Sequence, residues 1–236
     1  MRPVEPMKPF SLTLILILLA AGCVNVERIR LQAGEGDAAA QYRLGRMYER
    51  GESVHRDFRE AMKWYQRAAD QGFPQAQNSL GWFYREGQGV EQDFGAALKW
   101  YRKAAEQGWP MAQLNLGWMY ERGMGVEKDD AVAATWYRRA AERGLSEAQL
   151  DLGVMYWRGN GVEKDPVEAY KWLTLARQSP DNEMAVHRAV LALDQMEGSL
   201  SEAEKARGRA LVEAFVPVPP GLPAPSGRIE RNPGAE

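Results

Sequence analysis

Residues 73–108 read FPQAQNSLGWFYREGQGVEQDFGAALKWYRKAAEQG, and residues 109–144 read WPMAQLNLGWMYERGMGVEKDDAVAATWYRRAAERG. The two stretches align over 36 residues without a gap. Another copy precedes them over about residues 37–72, and a fourth follows over about residues 145–180. Repetition at a fixed period of this length is typical of proteins that stack one structural unit on the next.

The first half of each copy carries a helical pattern. Alanine, leucine and tyrosine recur at i, i+4 and i+8, as in Ala112, Leu116 and Tyr120, and such positions share one face of a helix. A glycine follows each leucine, although glycine costs about 1 kcal/mol relative to alanine inside a helix. This fourfold recurrence predicts that a neighbouring helix comes close at Gly45, Gly81, Gly117 and Gly153.

The second half of each copy also predicts a helix. In the fourth copy Asp165 precedes Pro166 and Glu168, which is the pattern of an N-cap, a first-turn proline and an acidic residue at N3. Alanine and tryptophan then recur at helical spacing, and we assign these residues to the core. Glycines in the position that ends a helix follow in the first three copies, at Gly72, Gly108 and Gly144.

A glycine-rich turn joins the two halves of each copy, as in GMGV at residues 123–126. A phosphate-binding loop would follow a strand and would place lysine, then serine or threonine, directly after its last glycine. Here a helix precedes the turn, and Lys128 stands three residues beyond Gly125. One copy earlier Gln92 takes the place of Lys128. The pattern favours a chain reversal between helices over a ligand loop.

The motifs Ala-x-x-x-Leu-Gly-x-x-Tyr, Gly-x-Gly-Val and Ala-x-x-Trp-Tyr-x-x-Ala-Ala resemble the Sel-one-like repeat family, a relative of the tetratricopeptide repeats. The resemblance covers about residues 37–180. It implies an all-α fold, a right-handed α-solenoid of about four 36-residue helix-turn-helix repeats. Ser53 replaces a turn glycine in the first copy, whereas Leu173, Arg177 and Pro180 depart from the motif in the fourth, as a terminal repeat does.

Residues 1–22 are predicted to be a lipoprotein signal peptide. Arg2 and Lys8 precede an apolar run, residues 10–21, that is too short to span a bilayer as a helix. The run ends in LLAAGC, which resembles a lipobox, and Cys23 is the one cysteine of the chain. We therefore expect lipidation of Cys23, against the alternative of a plain secretory signal with an incidental cysteine. Residues 23–36 would then hold the lipidated cysteine and a tether or a partial leading helix.

The residue after Cys23 bears on the choice of membrane. Val24 stands where an aspartate would resemble an inner-membrane retention signal. We therefore expect the chain in the bacterial cell envelope, anchored by its lipid to the outer membrane and facing the periplasm.

The segment after the repeats predicts C-terminal capping helices over residues 181–215. EMAVHRAVLALDQM, at residues 183–196, is apolar at helical spacing, and Ser201 with Glu204 predicts a capping box. Gly208 weakens the last helix. Residues 216–236 are proline-rich with little to bury, and we expect a disordered tail.

Neither composition nor motifs indicate a catalytic or metal site. The formal net charge is −2 with acids and bases interleaved, which does not favour nucleic acid as a partner. His55 and His187 are the two histidines, far apart and without cysteines beside them. We expect no cofactor, no metal ion and no enzymatic activity.

In a helical-hairpin solenoid, the first helix of each unit lines the concave face. Its positions between the core residues differ from copy to copy, and they carry aromatic, apolar and arginine side chains, as protein interfaces do. Trp82 and Trp118 lie one period apart and would either stack on this face or pack between adjacent helices. The predicted partner-binding residues are Tyr42, Arg43, Arg46, Asn78, Trp82, Met111, Leu114, Asn115, Trp118, Arg122, Leu150, Asp151, Val154 and Arg158.

The expected function is that of a non-enzymatic, membrane-anchored adaptor that binds a protein or peptide in this groove. Tryptophans also stack on sugars, so a lipoprotein that binds glycan or peptidoglycan is an alternative. A cell-wall-active enzyme is a further alternative, for which the sequence offers no candidate site.

Overall fold

The computed structural model of the protein describes residues 26–180 and 182–219, and every regular element within these ranges is a helix. The predicted signal peptide and Cys23 lie outside the described residues. Among the described helices, none has the length and apolarity that crossing a bilayer requires. The helices are α1 (26–34), α2 (Ala38–Arg50), α3 (Phe58–Asp70), α4 (Pro74–Glu86), α5 (Phe94–Glu106), α6 (Pro110–Arg122), α7 (Asp130–Glu142), α8 (Ser146–Arg158), α9 (Pro166–Gln178), α10 (Glu183–Glu197) and α11 (Glu202–Glu213).

Four consecutive helix pairs, from α2–α3 to α8–α9, correspond to the four predicted repeats. Internal contacts divide the chain after Glu91 into two compact units. In the first unit α3 packs on α2 and on α4. In the second unit each helix from α5 to α9 packs on the next, while α10 packs on α8 and α9, and α11 packs on α9. The predicted all-α solenoid of four repeats is confirmed.

The glycines in the first helix of each repeat mark places where two helices touch. A Cβ added to Gly117 in α6 would lie 2.7 Å from Cδ1 of Tyr137 in α7, a distance that real Cβ contacts do not show. The Tyr137 ring is fully buried. The predicted close approach is therefore confirmed here and at two equivalent pairs, Gly45 with Tyr65 and Gly153 with Leu173.

The glycine-rich turn is a chain reversal, as predicted. Gly123 ends α6 in the left-handed region with φ 67°, and its N–H donates to the carbonyl of Met119. Gly125 has φ 68°, and a Cβ there would lie 2.6 Å from the carbonyl oxygen of Phe94. Asp129 then caps α7. Conformation and space both favour glycine at these two positions.

A buried glutamine links successive repeats, and the sequence did not single it out. In α6, Nε2 of Gln113 donates to the carbonyl oxygen of Ala105 in the last turn of α5, over 3.1 Å. The same carbonyl also accepts the N–H of Gly108, so the glutamine adds a further hydrogen bond at the end of α5. Bonds of the same length join Gln41 to Ala33, Gln77 to Ala69 and Gln149 to Ala141. Because Ala33 belongs to α1, this helix occupies the place of a repeat's second helix.

Helices α10 and α11 close the end of the second unit. The capping box predicted for α11 is present: the Glu204 N–H donates to Oγ of Ser201, and the Ser201 N–H donates to the Glu204 carboxylate. Gly208 is buried, and a Cβ there would lie 2.5 Å from Cδ1 of Tyr170. The glycine therefore allows α11 to pack closely on α9.

Beyond α11 the chain runs against α7. The Phe215 ring meets the Trp172 ring edge-on, with centroids 5.6 Å apart. The Val218 N–H donates to the carbonyl oxygen of Glu142 over 2.8 Å, and Nη1 of Arg143 donates to the carbonyl oxygen of Pro219 over 3.1 Å. Residues 216–219 of the predicted tail are thus held by hydrogen bonds, and residues 220–236 lie outside the described range.

Candidate functional site

The second unit contains a cleft of about 440 Å³ between α6, α8 and α10. Six of the predicted partner-binding residues line it, namely Trp118, Arg122, Leu150, Asp151, Val154 and Arg158. Helix α10 adds Arg188, Leu191, Ala192 and Gln195. The sequence identified α10 as a capping helix but gave no sign that one of its faces would border this cleft.

The floor of the cleft is apolar. Leu150 is 1% exposed and Val154 is half-buried, and both belong to α8. Leu191 of α10 is 48% exposed. Trp118 of α6 is half-buried, and it packs against the core of the second unit while also bordering the cleft. The indole is thus partly packed and partly open to the cleft, and its contact with a partner stays a prediction.

A carboxylate and a guanidinium face each other across the cleft. Oδ1 of Asp151 on α8 lies 3.6 Å from Nη2 of Arg188 on α10. The pKa of Asp151 is raised to about 6, mainly by burial and also by the carboxylates of Glu121 and Glu147, while the charges of Arg188 and Arg122 lower it. The ionised form of Asp151 is therefore held in the cleft at a cost in free energy.

The other acidic group of the cleft is engaged by the core. The hydroxyl of Tyr137 donates to Oε2 of Glu121 over 2.8 Å. Burial raises the pKa of the Tyr137 hydroxyl far above its usual range, and the carboxylates of Asp151 and Glu121 raise it further. The hydroxyl thus stays a hydrogen-bond donor to Glu121 throughout the physiological pH range.

Two further arginines stand at the cleft, one period apart. Arg122 is the last residue of α6 and Arg158 the last residue of α8, where the helix dipole favours a positive charge. Both side chains are exposed. Within residues 26–180 and 182–219, neither forms an ion pair. The cleft therefore presents two guanidinium groups to solvent beside an apolar floor.

Three predicted residues of the second unit lie outside this cleft. Leu114 is 8% exposed and belongs to the hydrophobic core around Tyr137, so it offers little surface to a partner. Met111 is exposed and Asn115 is half-buried, both on α6. The helical pattern placed Leu114 between the core positions of α6, but its side chain is enclosed by the second unit.

The remaining predicted residues belong to the first unit. Arg43 and Arg46 line a recess of about 330 Å³ with Met47. The Tyr42 ring packs against the rings of Tyr65 and Phe73, at 5.6 and 5.3 Å between centroids. Asn78 is half-buried, and the Trp82 ring meets Phe83 edge-on at 5.2 Å. Trp82 and Trp118 belong to different units, and whether they stack on the concave face or pack between adjacent helices stays a prediction.

Titratable groups in the described ranges form no metal-binding cluster of three or more histidine, cysteine, aspartate or glutamate side chains. His55 and His187 are both exposed. The cleft combines an apolar floor, two solvent-facing guanidinium groups and one internal ion pair.

Comparison with known proteins agrees with this architecture. The Sel1 repeat model matches residues 38–73, 74–109, 110–145 and 146–181. A crystal structure of a Sel1 repeat protein from Oxalobacter formigenes is similar at a TM-score of 0.64 with 33% identity, covering 78% of this chain and 76% of that one.

Two curated proteins share shorter stretches with the chain. A Sel1-like repeat-containing protein of Acanthamoeba polyphaga mimivirus is 47% identical over 45 residues, which are 19% of this chain and 8% of that protein. The secretory immunoglobulin A-binding protein EsiB of Escherichia coli O6:H1 is 42% identical over 54 residues, 23% of this chain and 11% of that protein. The matches thus span about a tenth of these relatives' own lengths. The four consecutive repeat matches cover more than half of the residues, and the chain belongs to the Sel1 repeat family.

Proposed function

We propose that the chain is a lipid-anchored adaptor of the bacterial cell envelope that binds a protein or peptide partner in the cleft of its second unit, without catalysing a reaction. The observation that carries the proposal is the cleft between α6, α8 and α10. There a solvent-accessible leucine, Leu191, stands beside a buried apolar floor and two exposed arginines. Apolar surface with arginine at its edge is the composition of interface hot spots.

Family membership supports a binding role. Sel1 repeats serve generally as protein-interaction scaffolds rather than as enzymes. One relative of this chain is named for its binding of secretory immunoglobulin A, a protein ligand. The short stretch shared with that relative does not carry its ligand over to this chain, but it supports protein as the class of partner.

The membrane anchor is supported by the sequence alone. A positively charged start, a short apolar run and LLAAGC ending in Cys23 are the features of a lipoprotein signal. Because one acyl chain gives only marginal membrane binding, stable anchoring needs the several acyl chains that a lipoprotein cysteine carries. We propose outer-membrane attachment that leaves the repeats in the periplasm.

Site-specific photocrosslinking tests the binding role. A photoreactive amino acid at Leu191, inside the cleft, should crosslink the full-length protein to a discrete partner that mass spectrometry identifies. The matched control is the same substitution at Met184 on the same helix, which is 73% exposed and does not line the cleft. Equal crosslinking from both positions, or none from Leu191, would contradict the assignment of the cleft.

Metabolic labelling tests the anchor. The chain should incorporate an alkyne-labelled fatty acid and fractionate with the outer membrane, whereas Cys23→Ser should do neither. Incorporation that persists in the serine variant would show that the lipid is attached elsewhere, and a soluble, unlabelled protein would show that residues 1–22 are a plain secretory signal.

A binding assay with purified peptidoglycan sacculi distinguishes a glycan ligand from a protein ligand. The glycan alternative arises because the indole of Trp118 could stack on a sugar. Retention of the protein on sacculi, lost on Trp118→Ala and accompanied by no crosslinked protein, would favour the glycan alternative.

A further inference from the structure

Three helices bring their arginines to the same cleft. Arg122 comes from the end of α6, Arg158 from the end of α8 and Arg188 from the middle of α10. Guanidinium groups bind carboxylates through paired hydrogen bonds in a fixed geometry. Because these arginines converge from three separate helices, they restrict the kind of ligand that the cleft would accept.

The cleft's own acids leave part of this positive charge available. Glu121 accepts the hydroxyl of Tyr137, and Asp151 faces Arg188 at 3.6 Å. Within the part of the chain that the structure describes, neither Arg122 nor Arg158 forms an ion pair, although the charge of Arg122 acts on the carboxylate of Asp151. A ligand that carries negative charge would complement both.

The apolar floor adds a second requirement. Leu150 and Val154 line the cleft from α8, the helix that ends at Arg158, and Leu191 lines it from α10. A large apolar side chain over this floor would remove from water a leucine that is 48% exposed. A small inorganic anion would satisfy the arginines and leave this surface uncovered.

We infer that the cleft binds an acidic peptide segment of a partner protein, with its carboxylates on Arg122 and Arg158 and a large apolar side chain over Leu150, Val154 and Leu191. This inference rests on the proposed function and names the chemistry of the partner. Asp151 takes part as an internal competitor: its carboxylate holds Arg188 and opposes the approach of a ligand carboxylate.

Fluorescence anisotropy of the full-length protein tests the inference. The probe is a fluorescein-labelled twelve-residue peptide of alternating leucine and glutamate. Two control peptides carry glutamine for every glutamate or serine for every leucine. The acidic, apolar peptide should bind, and each control peptide should bind at least about tenfold more weakly, which corresponds to the loss of one or two exposed contacts.

Substitutions in the protein show where the peptide binds. Arg122→Gln with Arg158→Gln should weaken binding of the leucine–glutamate peptide about tenfold, since two ion pairs are lost. The matched control is Arg177→Gln, an exposed arginine in the last turn of α9 that does not line the cleft, and it should leave the affinity unchanged. Circular dichroism should show the same helical content in all variants.

Asp151→Asn separates a binding role from a structural one. Removal of the internal carboxylate releases Arg188 and lessens the repulsion of the peptide's carboxylates. The acidic peptide should therefore bind about threefold more tightly or better, in line with the modest energy of a partly exposed charge pair. A variant that merely damaged the cleft would bind more weakly.

Several outcomes would overturn the inference: equal affinity for the glutamine peptide, no effect of the paired arginine substitution, or binding of anionic cell-wall fragments in place of the peptide. If these occurred while photocrosslinking at Leu191 still captured a protein, the proposed function would stand with a partner of different chemistry. If both experiments failed, the cleft would not be a protein-binding site.

Discussion

The ring of Tyr137 lies so close to the backbone of Gly117 that a Cβ on the glycine would come within 2.7 Å of ring atom Cδ1. The same ring carries the hydroxyl that donates to Glu121 in the cleft. One residue on α7 thus fixes the distance between α6 and α7 and also positions an acidic group of the candidate site.

Gly117→Ala should lower the free energy of unfolding by about 1–3 kcal/mol, because the cost of forcing an extra carbon into a packed interface exceeds the gain in helix propensity. Urea denaturation followed by circular dichroism measures the change. Gly198→Ala is the matched control: an added Cβ there has no heavy atom within 4 Å. An equal loss of stability in both variants would show that packing on Tyr137 is not the cause.

Gln149→Met should destabilise the second unit by about 0.5–1.5 kcal/mol, the net contribution of one hydrogen bond, although it keeps the volume and the helix propensity of the side chain. The substitution removes the buried amide donor to the carbonyl of Ala141, which then accepts only backbone N–H groups such as that of Gly144. Urea denaturation measures the loss. Gln178→Met, at an exposed position on α9, should change the unfolding free energy by less than about 0.5 kcal/mol. A silent Gln149→Met would mean that backbone N–H groups such as that of Gly144 satisfy the carbonyl without the amide.

The repeat architecture could be predicted because its signals are periodic. Leu116 and Gly117 have equivalents in every 36-residue copy, and each has the packing role that its recurrence indicates. The buried glutamine that links successive repeats is also periodic, because Gln113 and its equivalents directly follow the aligned alanines. It was missed because a glutamine in a helix is ordinarily a surface residue, and only the structure shows that it bonds to the preceding helix.

The candidate site was predictable only where it belongs to the repeats. Periodicity identified Arg122 and Asp151, but it also grouped Leu114 with them, although the second unit encloses its side chain. Arg188 and Leu191 lie on α10, outside the repeated sequence, so no internal comparison could align them. Which face of a capping helix meets α8 depends on tertiary packing.

Phe215→Ala should lower the free energy of unfolding by about 1–3 kcal/mol, since it removes an edge-on aromatic contact and apolar burial against Trp172. Intrinsic tryptophan fluorescence during urea denaturation reports the change. Val216→Ala is the adjacent control, because Val216 is 81% exposed and should tolerate truncation. If both substitutions were neutral, the segment after α11 would contribute nothing to the second unit.

The pH dependence of the free energy of unfolding should show the titration of Asp151. Its pKa is raised to about 6 in the folded protein, mainly by burial, against about 3.9 in an unfolded chain. The folded state therefore binds the proton more tightly, and this contribution to stability is complete below about pH 3.9 and is lost as the pH rises through about 6. Asp151→Asn, which carries no charge at any pH, should avoid that loss.

We expect Asp151→Asn to be more stable than the unsubstituted protein at pH 8 by about 1–3 kcal/mol, since each unit of pKa difference corresponds to about 1.4 kcal/mol and the raised pKa already includes the effect of Arg188. The difference should shrink towards zero as the pH falls to 4, and urea denaturation across this range measures it. Asp194→Asn, which removes the same charge from an exposed position on α10, controls for net charge. A stability difference that grew as the pH fell would mean that the ionised carboxylate stabilises the fold, and Asp151 could then not act as a strained competitor in the cleft.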